Sequence, residues 1–422
     1  MKQFIKYVKL SGYKSIEELS IDFEPNLNIL IGKNAVGKTN FITFLNNTLN
    51  FDFSNSNNFE ATFEIKGDEF NHKFSFEKKT NIQTKIQKED NKTFDIFKPK
   101  KINPNFIGKL LVQNKKTKVI GEFTVEDESQ CSQIFTKNLS EDNISLRSIF
   151  IKHGLPKNYS IIESPLNIEL WNEYVSDNFL NLYNADNQSL FFKKMLFATI
   201  NMDLLNGNYF NNRLKKEDSI KKFINKKREE YKKSVFGETK FLNELRYLLR
   251  EYSPIFDLRI NDSFNIDIDF ESHKIVLRNF FLEFFVDNKW FTFDELSDGT
   301  KRLFYIISEI FISEINVYYS EVNLLNIIFI EEPELGIHPH QLYQLMRFLK
   351  EKSRNNQIII TTHSPLSLDI LEKNELDSII IASKSNGQTK LKKLSKAKLE
   401  KAKLYMDDLN LSDFWLNSNL ED

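Results

Sequence analysis

The stretch from Leu27 to Leu49 constrains this chain more than any other part of it. An apolar run, LNILI, stops at a glycine, the loop GKNAVGKT spans Gly32 to Thr39, and the apolar-periodic FITFLNNTL follows. That order predicts a buried strand, a glycine loop and a helix, the context in which G-x-x-x-x-G-K-[ST] holds a polyphosphate. Successive backbone N–H groups of the loop and the N-terminus of the helix would face the phosphates. The candidate binding set is Gly32, Lys33, Asn34, Ala35, Val36, Gly37, Lys38, Thr39 and Asn40. Within it, Lys38 would reach the β- and γ-phosphates and Thr39 would place its hydroxyl on Mg²⁺. A glycine-rich turn that matches by accident is the alternative, and the flanking strand and helix weigh against it.

A second apolar run, IIFI, ends in Glu331 and Glu332 and continues as PELGIHPH. A buried strand of this kind delivers its terminal carboxylates to a metal ion and to an attacking water. Glu331 would support Mg²⁺ and Glu332 would act as the base. A strand capped by a surface acidic turn looks the same in isolation, so the neighbours decide. His363 lies in TTHSP at the end of the next apolar run. A histidine on a strand end is more often a satisfied polar group, but its order behind the acids suits a sensor of the γ-phosphate. Upstream, LSDGTKRL sets Ser297 and Gly299 at a helix N-terminus, which offers N–H groups and a positive dipole end to an anion. Plain capping by Ser297 is the simpler alternative there.

At 422 residues the chain exceeds one ordinary domain. Its hydrophobic fraction of 41% and charged fraction of 28% are those of a soluble globular protein. The net charge of -1 leaves nucleic-acid binding to a local patch at most. One cysteine, Cys131, excludes an internal disulfide framework and a cysteine-rich metal site, which fits a reducing cytoplasm. Lys2, Lys6, Lys9 and Lys14 interrupt the N-terminal apolar residues, so no signal peptide is expected. Apolar stretches such as Leu324–Ile330 fall short of the roughly 20 residues of a membrane span.

Residues 4–31 read as two strands joined by a turn, KYVKLSGYKSI and LSIDFEPNLNILI. From Phe59 to about Lys98 the segments ATFEIKG, FNHKFSFEKK and IQTKIQKE alternate with period two and predict an antiparallel meander. Residues 100–160 carry no clear pattern. Leu170 to Tyr252 reads as mostly helical, with a charged arm from Arg213 to Lys233. Short strands return at Asp257–Ile260, Phe264–Phe270, Lys274–Leu277 and Phe281–Val286.

Taken in order, LSGYKSIEELSIDF, GKNAVGKTN, LSDGTKRL, EEPELGIHPHQ and TTHSP resemble the ABC-type ATPases of the RecF, SMC and OLD group. The likeness is greatest to compact bacterial ATPases of anti-phage systems, such as those of PARIS and Septu. It covers both ends of the chain and not the middle. The resemblance implies an α/β fold, an ABC ATPase head with a parallel core sheet, an antiparallel β-meander and a mainly helical insertion. The corresponding division is 1–135 for the first half-head, 136–255 for the insertion and 256–422 for the second half-head.

The resemblance also implies ATP and Mg²⁺ as cofactors and slow hydrolysis of ATP. It implies a homodimer or higher homo-oligomer, with ATP held between the loop of one copy and Ser297 and Gly299 of another. Lys14, in GYKS, matches a basic residue that approaches the phosphates, and His338 and Pro339 match a loop near the dimer seam. Glu331 stands where aspartate is usual, and Asp298 and Thr300 replace residues of the transporter-type signature. Ala35 and Val36 replace the common Gly and Ser of the loop, at variable positions, and Gln113 is a candidate for the Q-loop glutamine.

Sustained heptads are missing from the middle, so no long coiled-coil rod is expected. The basic excess of Arg213–Lys233 reads first as a solvated face and second as a nucleic-acid or partner surface. After TTHSP, SIIIASK and TKLKKLS read as a closing hairpin, with no room for a Toprim domain. The expected function is a cytoplasmic ATP-driven switch that controls a separate effector, a nuclease or Toprim protein, in anti-phage defence. A RecF-like clamp that grips DNA directly is the main rival. A transporter subunit is disfavoured by EEPELGIHPH and by the wide split between loop and signature, and a stand-alone nuclease by the short tail.

Overall fold

The computed structural model describes residues 3–52, 58–67, 71–81, 105–113, 121–125, 128–140, 144–153, 166–171, 240–261, 265–269, 274–318 and 323–417. The first part of the chain supplies β1 (Phe4–Tyr13), β2 (Ile16–Asp22), β3 (Leu27–Ile31), α1 (Lys38–Leu49), β4 (Phe59–Lys66), β5 (Asn71–Asn81), β6 (Asn105–Gln113), β7 (Gly121–Val125), α2 (Glu128–Ser140) and β8 (Ile144–Ile151). Next come β9 (Leu166–Trp171), α3 (Lys240–Tyr252), β10 (Asp257–Ile260), β11 (Asn265–Asp269), β12 (Lys274–Phe280), β13 (Leu282–Val286), β14 (Lys289–Thr292) and α4 (Asp298–Tyr318). The last part supplies β15 (Asn323–Glu331), α5 (Pro339–Lys352), β16 (Gln357–Thr362), β17 (Ile379–Ser385), β18 (Gln388–Lys393), α6 (Lys396–Tyr405) and α7 (Leu411–Asn417).

Two compact units share these elements. One comprises 1–151, 315–333 and 349–422, and the other 152–314 and 334–348. The first unit holds two six-stranded sheets. One is antiparallel, in the order β2-β1-β4-β5-β6-β7. The other runs β18-β17-β3-β16-β15-β8, parallel from β17 to β8 and closed at one edge by the antiparallel β18. All five residues of β3 are buried, as a strand covered on both faces requires, and its one polar member, Asn28, accepts from the Glu24 N–H and donates to the Glu24 carbonyl through its side-chain amide.

Helix α1 buries Phe41, Ile42, Phe44, Leu45, Thr48 and Leu49, a spacing of three and four that turns one face inward. Phe44 lies 4.8 Å from the Tyr13 ring and 5.4 Å from that of Phe59, centre to centre. Burying one such ring is worth about 1.5–3 kcal/mol. The two sheets are also joined by a polar clip. The fully buried Gln357 amide accepts from the Ile5 N–H at 2.9 Å and donates to the carbonyls of Ile5 at 2.9 Å and Glu24 at 3.1 Å. It completes the backbone bonding of β1 next to the register shift between Ile5 and Tyr7.

In the second unit, β10-β13-β14 and β11-β12-β9 form two three-stranded antiparallel sheets. From Arg302 to Ser308 every residue of α4 is buried, and Phe304 meets Phe284 edge-on at 4.9 Å. Helix α3 turns Leu245, Leu248, Leu249 and Tyr252 inward.

The expected strands of the meander are present as β4 and β5, while IQTKIQKE lies outside the described residues. The charged arm Arg213–Lys233 lies outside them too. Five strands have no forerunner in the sequence reading: β6, β7 and β8 in the unpatterned 100–160, β9, whose last two residues Leu170 and Trp171 fall in the stretch read as helical, and β14. β8, within the unpatterned 100–160, is the edge of the parallel sheet and pairs with β15 from Asn323 to Ile330. β14 follows a two-residue turn, Asp287 at φ 48° and Asn288 at φ 64°, a type I′ hairpin signal carried by the turn and not by any apolar run. The closing hairpin is built by β17 and β18 across Asn386 at φ 51° and Gly387 at φ 79°.

Candidate functional site

Neighbouring parallel strands β3, β16 and β15 bring their carboxyl ends to one edge of the sheet, the edge at which open α/β sheets take ligands. The glycine loop follows β3, Glu331 closes β15, and His363 follows β16. Residues more than 290 positions apart in sequence therefore meet in the first unit.

The loop glycines have distinct physical reasons. A Cβ on Gly32 would lie 2.1 Å from the carbonyl oxygen of Ala382 on β17, so the backbone passes too close for any side chain. Gly37 has φ 102° and, as the N-cap of α1, brings no side chain to bond the first turn. No side chain at that position competes with an anion for those N–H groups. Lys38 is buried, and its ammonium donates to the carbonyls of Gly32 at 2.6 Å and Lys33 at 2.9 Å. The loop thus curls around the cation that a phosphate would meet.

The Thr39 hydroxyl donates to Oε1 of the buried Glu331 at 2.5 Å. A hydroxyl and a carboxylate oxygen side by side, next to a phosphate loop, are the hard oxygen donors that Mg²⁺ accepts, so these residues fit that ion. Glu332 sits at φ 45°, a left-handed conformation that costs a non-glycine residue on the order of 1–3 kcal/mol. Its N–H donates to the Thr361 carbonyl at 2.8 Å, which holds it there. Its carboxylate reaches to 4.0 Å from His363 Nδ1. The Ser364 N–H donates to the Thr362 hydroxyl at 2.9 Å, so the chain turns directly after His363. A carboxylate and an imidazole this close can together orient a water.

Lys14 lies in the turn between β1 and β2 with φ 48°. Its ammonium is 3.5 Å from Asn40 Oδ1 on α1 and 5.3 Å from the centre of the Tyr13 ring. Asn34 and Ala35 are exposed at the loop crest, Val36 is buried, and Ala35 has φ 62°.

Ser297 and Gly299 belong to the second unit, as do His338 and Pro339. The Ser297 hydroxyl accepts from the Thr300 N–H at 3.2 Å and meets the Thr300 hydroxyl at 2.8 Å, so it caps α4. Gly299 is buried where a Cβ would lie 2.4 Å from the Gly336 carbonyl oxygen. His338 precedes α5 and accepts from the Leu342 N–H through its carbonyl at 2.9 Å, with Pro339 as the first helical residue. Gln113 is the last residue of β6 in the antiparallel sheet.

The sequence reading missed two residues beside the loop. Thr389 on β18 and Ser15 in the β1–β2 turn bond to each other next to Gly37. They are 374 positions apart; Ser15 ends the GYKS segment, where the reading singled out Lys14 alone, and Thr389 belongs to no motif.

A family model described as AAA domain matches residues 7–253. A second AAA-domain model, described for a candidate AbiEii toxin of type IV toxin–antitoxin systems, matches residues 199–369. The chain is 56% identical over 39 residues to the DNA replication and repair protein RecF of Streptococcus agalactiae serotype Ia, which covers 9% of this chain and 11% of that protein. It is 50% identical over 38 residues to RecF of Lactococcus lactis subsp. lactis, again 9% of this chain and 11% of the relative. The match thus spans about a tenth of the length of these curated relatives. Among solved structures, an Smc head bound to the C-winged helix domain of ScpA superposes with TM-score 0.44 at 13% identity, over 94% of this chain and 99% of that one. A Pyrococcus furiosus Smc head with an extended coiled coil, bound to the C-terminal domain of ScpA, gives 0.45 at 16% identity, over 96% and 99%.

Proposed function

Because the chain belongs to the AAA domain family, matched over residues 7–253, we propose that it binds ATP with Mg²⁺, hydrolyses it slowly and uses the cycle as a switch between subunits. The observation that carries this reading is the meeting of three strand ends, which sets the Thr39 hydroxyl 2.5 Å from Glu331 and the Glu332 carboxylate 4.0 Å from His363. The loop from Gly32 to Asn40 would hold the phosphates, with Lys38 against the β- and γ-phosphates and Lys14 approaching from the β1–β2 turn. Thr39 and Glu331 would ligate Mg²⁺, which neutralises charge on the phosphates when bound. Glu332 would orient and deprotonate the attacking water, and His363 would report on the γ-phosphate.

In this reading 1–135 and 256–422 form two halves of one head and 136–255 an insertion. Ser297 and Gly299, at the N-terminus of α4, would complete the site of a second copy in a homodimer or larger homo-oligomer. The output would pass to a separate effector, a nuclease or Toprim protein, in bacterial anti-phage defence in the cytoplasm. Support for a paired system comes from the second AAA-domain model, whose description names a toxin of a toxin–antitoxin system.

Lys38→Ala tests the core of the proposal. It is expected to abolish ATP binding and hydrolysis by the purified chain without changing its cooperative unfolding. A wild-type chain that neither binds nor hydrolyses ATP would overturn the reading. The short identity with RecF favours a second reading, a clamp that closes on DNA. Duplex DNA would then stimulate hydrolysis, and neutralising the basic residues of Arg213–Lys233 would remove the stimulation.

A further inference from the structure

We infer that Thr389 is a positioning residue of the nucleotide site, which fixes both the loop at Gly37 and the aim of Lys14; the inference rests on the ATP-binding reading above. Thr389 is fully buried on β18, and its Oγ1 occupies the space a side chain at position 37 would need, 2.1 Å from an ideal Cβ there. The same hydroxyl lies 2.8 Å from Ser15 Oγ, and the Thr389 N–H donates to the Ser15 carbonyl at 2.8 Å. Two bonds from one residue therefore hold Ser15. Asn40, in the first turn of α1, extends the chain of contacts. Its amide donates to Ser15 Oγ at 3.3 Å, and its carbonyl oxygen accepts from Lys14 at 3.5 Å.

The turn gives a reason for such a clamp. Tyr13 and Ile16 pair across only two residues, Lys14 and Ser15. A two-residue hairpin favours Asn-Gly or Gly at its positive-φ positions, yet Lys14 takes φ 48°. Left to itself, this turn would relax and the lysine would point elsewhere. Ser15, bonded on both sides by Thr389, keeps it closed and leaves the Lys14 ammonium beside α1. Thr389 thus links three parts of the site that are remote in sequence: the Lys14 turn, the loop glycine before Lys38 and the first turn of α1.

The test uses the full chain as wild type, Thr389→Val, Thr389→Ser, Lys14→Met and the Thr389→Val/Lys14→Met double variant. Each is titrated with a fluorescent ATP analogue and assayed for steady-state hydrolysis. Thr389→Val is expected to raise Kd and KM roughly five- to tenfold while kcat changes less than about twofold. Thr389→Ser, which keeps the hydroxyl, stays within about twofold of wild type. The double variant binds no more than about twofold more weakly than Lys14→Met alone, because both changes disable the same contact. Unchanged affinity in Thr389→Val, or losses that multiply in the double variant, would overturn the inference while leaving ATP binding intact. A wild type without nucleotide affinity would remove both. If Thr389→Val fails to fold, Ser15→Ala removes the other half of the bond and must show the same pattern.

Discussion

At the scale of single residues, the site is set by places where a side chain cannot go. Gly32 runs against the Ala382 carbonyl and Gly37 against Thr389. The loop motif requires glycine at 32 and 37 by pattern; the contacts say which atoms enforce it. Gly32→Ala should lower the unfolding free energy by about 1–3 kcal/mol, since the obstacle is backbone and cannot swing aside. Urea denaturation followed by circular dichroism measures this, and a loss below about 0.5 kcal/mol would mean that β17 yields more easily than its pairing with β3 suggests. Glu332 is the opposite case, a side chain held in a conformation that favours glycine. Its strain sits at the proposed base, where the Thr361 carbonyl holds it.

At the scale of elements, α7 illustrates how a short helix is fastened. Its seven residues are too few to be stable alone. Asp369, in the turn after the Pro365–Leu368 segment, accepts from the Ser412 N–H at 2.7 Å and from its hydroxyl at 2.8 Å. Burial pushes the Asp369 carboxyl above its ordinary value, against the lowering effect of those bonds, with Asp413 adding repulsion. The folded state therefore takes up this proton at a higher pH than the unfolded chain. The stability from that proton is fully present below the unfolded pKa and is lost as pH rises through the folded one. Asp369→Asn keeps an acceptor for Ser412 and cannot titrate. The stability of wild type relative to Asp369→Asn should thus increase as pH is lowered from 7 toward the ordinary carboxylate range of about 4. Denaturation midpoints at several pH values check this, and a difference that stays flat would contradict the shift.

Elements also show what periodicity carries. β3, α1, β15 and β16 were legible because each is a mainly apolar run or has a three-and-four spacing. β8 was not, since ISLRSIFI mixes polar and apolar residues at a sheet edge, where one side needs no further strand. β14 was missed because its signal is the Asp287–Asn288 turn rather than its four strand residues.

For the whole molecule, the proposed switch predicts an assembly that depends on nucleotide. Glu332→Gln removes the base and keeps the shape, so hydrolysis should fall by roughly 10²- to 10⁴-fold. ATP should then accumulate between copies, and light scattering after size exclusion should show a dimer or larger species with ATP and Mg²⁺ that is absent without them. A Glu332→Gln chain that stays monomeric with saturating ATP would exclude ATP as the bond between heads. Adding Ser297→Arg to that variant should abolish the assembly while leaving ATP binding to one copy in place. No helix among the described residues is long and apolar enough to cross a membrane.

The sequence by itself determined the chemistry that is local. The run from Leu27 to Leu49, the acids after IIFI and the histidine after TT each state a residue type and an immediate backbone context, and both survive without knowledge of the rest. Only the tertiary structure decided which of these meet and what holds them. The Thr39–Glu331 contact, the Gln357 clip between sheets and the Thr389–Ser15 bond join residues 292 to 374 positions apart. Such pairs leave no period and no spacing in the chain. They depend on sheet order, and sheet order is set by burying whole faces rather than by any one segment.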